Sequence, residues 1–357
     1  MKLIHCSDLH LDSPMETNLS PQKAKLRNTE LCQSFSRMVG FAETQGVQLI
    51  LIAGDLFDSE RISSTTSDFV LSTIEGSPNI DFLYLRGNHD ESDRAFAGKT
   101  IPNNLKFFSD TWTYYHYDFL TIAGAELTED NCESIYDSLI LDEQDTNIVT
   151  LHGQDTTRPG PDCVCIPLLR DRGIDYLALG HLHSYREEPL DSWGRYCYSG
   201  CLEGRGFDEC GDKGFVYLDV RPHSVRSLFV PFAQRTLYDV PVDITGLTEV
   251  PQLLQAMNEA AADLPSKSLV KFTLTGSFTA ETHKDLGFLQ QMLQERFFHV
   301  KIKDDSKFSI DKLSYEHDIS LKGEFIRTVL SSPCTQEEKD AIICAGLAAL
   351  RGEAINI

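Results

Sequence analysis

Lys2-Leu3-Ile4-His5-Cys6-Ser7-Asp8-Leu9-His10 opens the chain with an apolar run that breaks into an Asp-x-His pair. The same grammar returns four times: Leu49-Ile50-Leu51-Ile52-Ala53 before Gly54-Asp55-Leu56-Phe57-Asp58, Phe82-Leu83-Tyr84-Leu85-Arg86 before Gly87-Asn88-His89-Asp90, Asn147-Ile148-Val149-Thr150-Leu151 before His152-Gly153, and Tyr176-Leu177-Ala178-Leu179 before Gly180-His181-Leu182-His183. Short apolar runs without polar alternation predict strands covered on both faces. In layered α/β folds, sites gather at the carboxyl ends of such strands, so all five segments could meet at one point. The adjoining glycines allow tight turns and close approach of backbone. Taken singly, each segment has an ordinary reading, a hydrogen-bonded structural histidine or a Gly-Asp turn. Five in order, each behind a buried strand, do not.

Working outward, residues 1–235 alternate strands with helices. Phe119–Ala123, Phe215–Val220 and Val225–Phe232 add further strands, and helices are expected over about Ser20–Gln45, opened by the cap pair Ser20-Pro21, and over Ser64–Ile74. This alternation predicts an α/β layered domain. The pattern changes near Thr236. Leu237–Ile244, Val250–Leu264, Leu269–Thr275, Ala280–Phe298 and Val300–Lys303 read as a smaller α+β unit of βαβαβ order over residues 236–304. Residues 305–357 form a C-terminal helical segment, with helices at Leu321–Leu330 and Gln336–Arg351, the second opened by a Thr335/Glu338 capping box. Its apolar residues spread over a wide arc, suited to docking a partner or to packing on its own domain.

Composition sets the class. Of 357 residues, 41% are apolar, enough to fill a core, and no apolar run approaches a membrane span. The N-terminus turns polar at Ser7, unlike a signal peptide, and ten irregularly spaced cysteines predict free thiols, so a cytoplasmic protein is expected. The formal charge of −22 opposes field-driven binding to phosphate polymers. Eight acids and no Lys or Arg lie in Glu126–Asp145, which reads as a solvated acidic face.

The ordered pattern D-x-H, G-D-x-x-D, G-N-H-D, H-G, G-H-x-H resembles the calcineurin-like metallophosphoesterase superfamily, over roughly residues 1–232. The resemblance implies a four-layer α/β/β/α sandwich with a two-metal centre. Carried over residue by residue, Asp8, His10 and His183 would hold one metal, Asn88, His152 and His181 the other, and Asp55 would bridge both. His89 would be the general acid, and Asp58 could orient it or be a turn residue only. Asp90 reads as loop chemistry. Carboxylate, imidazole and amide oxygen suit Mn²⁺, the favoured ion, with Fe²⁺ or Zn²⁺ as alternatives. Two such ions clamp a phosphate and activate water for in-line attack.

Lys2–Leu11, Ile52–Asp58, the Tyr198-Ser199-Gly200-Cys201-Leu202-Glu203-Gly204-Arg205 run and Lys213-Gly214-Phe215-Val216 further resemble SbcD-type DNA repair exonuclease subunits, in particular their YhaO-like bacterial branch. That resemblance implies a Mn-dependent DNA exonuclease or endonuclease subunit, a DNA-capping role for residues 236–304, and a C-terminal segment that docks an SMC-like (SbcC-type) ATPase. Many relatives carry a second catalytic His where this chain has Asp58. The alternative is a stand-alone metallophosphoesterase acting on small nucleotides or phosphomonoesters. Arg205 and Arg86 are each a phosphate contact or a salt-bridge partner, and a homodimer is compatible with the sequence. Two divalent cations would return positive charge where phosphate sits, so weak intrinsic DNA affinity is expected, with metals and partner supplying the grip.

Overall fold

The computed structural model describes residues 1–15, 19–58, 62–90, 93–279, 281–310 and 315–350. The chain divides into two units, Met1–Thr236 and Leu237–Ile357.

The first unit contains two six-stranded sheets. One runs in the order β14 (Ser224–Pro231), β13 (Gly214–Arg221), β1 (Lys2–Cys6), β2 (Leu49–Ala53), β3 (Asp81–Leu85), β4 (Leu105–Phe107). The other runs β11 (Arg186–Pro189), β12 (Arg195–Tyr198), β10 (Tyr176–Gly180), β7 (Thr146–His152), β6 (Leu120–Gly124), β5 (Thr113–Tyr117). Parallel strands form the centre of each sheet, and antiparallel pairs close edges at β13/β14, β11/β12 and β5/β6. A short ribbon, β8 (Gln154–Thr156) with β9 (Cys163–Cys165), follows the second sheet's central strand.

Alternation along each strand divides three layers of core. Leu49 and Leu51 face inward with Leu3, Leu83 and Leu85, packing against Ile122, Ile148, Tyr176 and Ala178 of the opposite sheet. Ile50 and Ile52 face outward with Ile4 and Phe82, under Leu31, Phe35 and Met38 of α1 (Pro21–Gln45) and Val70 and Ile74 of α2 (Ser64–Glu75). On the outer face of the second sheet, Val149, Leu151, Leu177 and Leu179 meet Ile135, Tyr136, Ile166 and Leu169, so short helical turns such as α3 (Ile166–Leu169) cover it. Full burial on both faces explains why these strands lack polar alternation. α1 starts where expected: Ser20 Oγ accepts from Lys23 N, Pro21 occupies the first turn, and Gly46 ends the helix at φ +66°.

In the second unit, β15 (Leu237–Asp243), β16 (Leu269–Thr275) and β18 (His299–Asp304) form a parallel sheet packed on α4 (Val250–Ala260) and α5 (Leu286–Gln294). α5 begins six residues later than the expected Ala280, because the Asp285 carboxylate caps it by accepting from Phe288 N at 2.9 Å while His283 N is spent on the Thr248 carbonyl. β17 (Ser277–Phe278) pairs with β19 (Lys307–Phe308). α6 (Leu321–Leu330) and α7 (Gln336–Leu350) bury Ile326, Val329, Ile343 and Leu347 together with Tyr315. The capping box is present, Thr335 N donating to Glu338 and Glu338 N to Thr335 Oγ1, whereas Arg351, the expected end of α7, lies outside the described residues. Ile343 and Leu347 of the wide arc on α7 therefore pack on its own unit, leaving Ala341, Ile342 and Leu350 exposed. All ten cysteines are free thiols, and among the described residues no helix is long and apolar enough to cross a membrane.

One polar contact staples the two sheets. His5 on β1 is fully buried, receives Tyr176 Oη–H at Nδ1 (3.0 Å) and donates from Nε2 to the Leu179 carbonyl (3.2 Å). Burial pushes its imidazole down to about 3, the Leu179 carbonyl opposing this. The native form is neutral and the unfolded chain takes up the extra proton below 6.5, so stability from this site is intact above that pH and falls as pH drops toward 3. Urea unfolding of the wild type is expected to lose ~1.4 kcal/mol per pH unit from this residue between pH 6 and 4. His5→Gln should be less stable at pH 7 and show a shallower decline; an unchanged slope would remove His5 as its source.

Candidate metal centre

All five segments flagged in the sequence come together. They leave the carboxyl ends of β1, β2, β3, β7 and β10, which are central strands of the two sheets. The first two loops zip to each other through backbone: Asp8 N to the Gly54 carbonyl, His10 N to that of Asp55 and Leu11 N to that of Leu56, each at 3.0 Å. To aim their side chains, Asp8 (φ 53°), His10 (φ 45°), Asp55 (φ 52°) and His181 (φ 104°) take positive φ, which for non-glycine residues costs of order 1 kcal/mol or more apiece. His181 N is repaid by both Asp8 carboxylate oxygens, at 3.0 and 3.1 Å. Gly87 is required for a different reason: a Cβ there would lie 2.2 Å from Asp55 Oδ1. Gly54, at φ +96°, would place one 2.0 Å from His152 Nδ1.

The donor atoms fall into two overlapping groups around Asp55. His10 Nε2 and His183 Nε2 are 3.2 Å apart, with Asp8 Oδ1 3.7 Å from His183 Nε2 and Asp55 Oδ2 3.7 Å from His10 Nε2. On the other side, His152 Nε2 lies 3.0 Å from Asn88 Oδ1 and 3.4 Å from Asp55 Oδ2, and His181 Nδ1 lies 3.4 Å from Asn88 Oδ1. The residues suit a pair of divalent cations, because the outer nitrogens of three imidazoles already face an acceptor oxygen. His152 Nδ1 donates to the Ala53 carbonyl at 2.9 Å, His183 Nδ1 faces Glu209 Oε1 at 2.7 Å, and His10 Nδ1 lies 3.0 Å from Asp58 Oδ1. Each partner directs Nε2, with its lone pair, inward.

Electrostatics agree with this donor set. Burial works to lower His152, yet the hydrogen bond and charge of Asp55 push it up to about 9; burial also opposes the rise of His183, which Glu209 and Asp8 carry. Asp55 is held well below the usual carboxylate range against its own burial, by His152 and His10. Burial lowers His10 and, with the neighbouring His152 charge, His181. The cluster thus demands positive charge, which bound cations satisfy without protonating a ligand.

His89 sits beside this centre, exposed, with its ring 5.0 Å from that of His10. Its backbone N–H donates to Asp55 Oδ1 at 2.9 Å, and its Nδ1 meets the Asp58 carbonyl at 3.1 Å. Asp58 therefore contacts His89 through its backbone, while its carboxylate serves His10. Arg205 lies at the centre but bonds Asp58 and Glu209, with Nη2 3.3 Å from His183 Nδ1. Arg86 forms a two-pronged bond to Glu126, Nε to Oε1 at 2.8 Å and Nη2 to Oε2 at 2.7 Å. Both arginines thus have the salt-bridge partners that one of their two sequence readings expected.

Two carboxylates beside the centre were given no part in it by sequence reasoning: Asp90, read as loop chemistry, and Glu209, not singled out. Asp90 is buried, not a loop ornament: it accepts Leu56 N and Phe57 N at 3.0 Å and Gly87 N at 3.2 Å, tying the Asp55 loop to the Asn88 loop. Burial, reinforced by the nearby Asp55 charge, pushes it up to about 6. Its position at the end of the Gly-Asn-His-Asp run was the available signal. Glu209 is held down to about 2 by His183 and Arg205, against burial, and nothing in its local sequence marks it.

A cleft of about 660 Å³ opens beside Asn88 and His152, and Arg86, Ser109, Asp110, Glu126, Glu129 and Asp162 form part of its wall. Part of the acidic run thus stands next to the centre.

Residues 1–185 match the family model described as calcineurin-like phosphoesterase. Among curated relatives, the uncharacterized metallophosphoesterase YhaO of Bacillus subtilis is 27% identical over 301 residues, covering 78% of this chain and 72% of its own. The SbcD component of the nuclease SbcCD of Staphylococcus epidermidis is 25% identical over 270 residues, covering 65% of this chain and 69% of its own. The DNA double-strand break repair protein Mre11 of Saccharolobus solfataricus is 26% identical over 200 residues, covering 52% and 50%. With the model spanning more than half its length, and with the matched segments meeting at one cluster of metal-ligating side chains, the chain belongs to the calcineurin-like phosphoesterase family and is a hydrolase of phosphoester bonds.

Proposed function

We propose that this chain is the nuclease subunit of a DNA repair complex, a Mn²⁺-dependent phosphodiesterase that cuts DNA as an exonuclease or endonuclease. The observation that carries the reading is the meeting of Asp8, His10, Asp55, Asn88, His152, His181 and His183 around one carboxylate with His89 at the rim. Relatives named as a nuclease component and a DNA break repair protein, at about a quarter identity, support DNA as the substrate.

Asp8, His10 and His183 would hold one cation, Asn88, His152 and His181 the other, with Asp55 between. A pair of divalent cations there supplies Lewis acidity toward the phosphoryl oxygens and acidifies water. The protein's own part is positional. His89, with Nδ1 committed to the Asp58 carbonyl, leaves Nε2 to pass a proton to the departing oxygen. Asp90 keeps the Asn88–His89 loop in register with Asp55, so ligand and acid move as one body. The exposed Leu321, Ile342 and Leu350 of the C-terminal helices support docking of an SMC-like ATPase there. A cytoplasmic location completes the proposal, with which a homodimer is compatible.

A second reading, a stand-alone enzyme for small nucleotides or phosphomonoesters, is favoured by the cleft beside Asn88: its size suits a single small ligand, and its acidic wall repels a polyanion.

Labelled linear DNA and a chromogenic phosphomonoester, each offered with Mn²⁺, separate the two. DNA degradation that falls ~10²-fold or more in His89→Ala is expected, with metal binding retained. Turnover of the small ester without DNA cleavage, even with the ATPase added, would reverse the choice. Chelation should abolish activity, and Mn²⁺ at about a hundredfold over its Kd should raise the first unit's Tm by ~5–10 °C in a thermal scan; a Tm indifferent to Mn²⁺ would count against the whole centre.

A further inference from the structure

Besides the candidate metal centre, the first unit buries a second set of charges. Arg27 on α1 and Glu203, in the loop after β12, are each 1% exposed. Glu203 uses both carboxylate oxygens: Oε1 accepts from Ser34 Oγ at 2.6 Å and Gln234 N at 2.5 Å, and Oε2 accepts from Arg27 Nη2 at 3.0 Å. Arg27 also donates to the Gly204 carbonyl at 2.9 Å and to Glu30 Oε2 at 2.5 Å. Glu30 in turn holds Arg235, whose Nε reaches both its oxygens at 3.0 Å and whose Nη2 reaches Oε1 at 2.8 Å.

Cohesion alone does not account for such a network. Desolvating each ion costs several kcal/mol, and well-packed apolar side chains often stabilise a core as well or better. What ion pairs supply, and apolar contacts do not, is fixed direction. The two ends of this network are informative. One end holds Gly204, the neighbour of Arg205, whose guanidinium bonds the Asp58 and Glu209 carboxylates that face His10 and His183. The other end is Arg235, two residues before Leu237, where the second unit begins.

We propose that Arg235 is a positioning residue for the metal centre, acting through Glu30, Arg27 and Glu203 to fix the Gly204–Arg205 segment and hence the carboxylates that orient His10 and His183. The inference rests on the two-metal reading above. It makes one set of bonds within the first unit responsible both for the course of the chain at Gln234–Arg235 and for the aim of His10 and His183. Glu209 is the sensitive point, because Arg205 holds it by backbone N–H (2.6 Å) as well as by side chain (2.9 Å). A shift of residues 204–205 thus displaces the partner of His183 directly.

The test uses the full chain with Arg235→Ala and Arg235→Lys. Arg235 is partly exposed and Arg27 still pairs Glu30 without it, although Glu30 and Glu203 then share the one guanidinium of Arg27, so a stability control accompanies the variant. Metal-free protein is titrated with Mn²⁺ by calorimetry, and kcat and KM are measured on a phosphodiester. The wild type should bind two ions. Arg235→Ala should weaken one of them by about tenfold and lower kcat with KM unchanged, as outer-shell substitutions do, and Arg235→Lys should recover part of both. Glu30→Gln, which keeps the shape, should match Arg235→Ala and serves if that variant does not fold. Leu169→Ala, a core deletion in α3, gives the baseline for simple loss of stability. If both network variants keep wild-type affinity and kcat, or change them no more than Leu169→Ala does, the inference falls while the metal centre stands. If the wild type binds no Mn²⁺, the two-metal reading falls first and takes the inference with it.

Discussion

Burying the Asp55 carboxylate is the constraint around which the first unit is arranged. Its side chain is 2% exposed, and an anion so placed persists only when its oxygens are answered. One oxygen takes the His89 N–H, and the other faces His152 and His10. From that requirement follow the left-handed backbone at Asp55, the missing side chain at Gly87, and the backbone zipper that holds the first two loops together. Strands β1, β2, β3, β7 and β10 must therefore end at one level, and the inter-sheet core sets that level.

Around this first ring lies another that turns flexible side chains into fixed ones. Asp58, Glu209 and the Ala53 carbonyl select the inward tautomers of His10, His183 and His152, and Asp90 locks two loops by accepting three backbone N–H groups. Arg205 ties Asp58 to Glu209, so His10 after β1 and His183 after β10 share one outer frame. These carboxylates are answered by hydrogen bonds and by Arg205, so the pull for cations at the centre comes from local geometry and not from the formal charge of −22. Other acids stand in the wall of the cleft beside Asn88, where Arg86 answers Glu126.

Most of this fold was legible from local pattern. Five apolar runs, each ending in Gly, Asp, Asn or His, were enough to place five buried strands and to nominate the residues at their ends, because burial on both faces removes polar alternation and strand ends are where backbone is free to turn. Helix starts were legible where a cap residue announced them, as at Ser20 and Thr335, and misread at α5, where Asp285 and not the earlier apolar residues decided the first turn.

What the sequence by itself determined is the set of ligand types and the strands that carry them, since these depend on neighbours one to five residues away. The tertiary structure alone decided which carboxylates serve which imidazoles. Asp58 gives its carboxylate to His10 and only its carbonyl to His89, Glu209 reaches His183 across 26 residues, and Arg205 faces the ligand shell. These pairings depend on side-chain direction at bonding distances of about 3 Å, and direction is set by the packing of two sheets against each other, which no local stretch of sequence encodes.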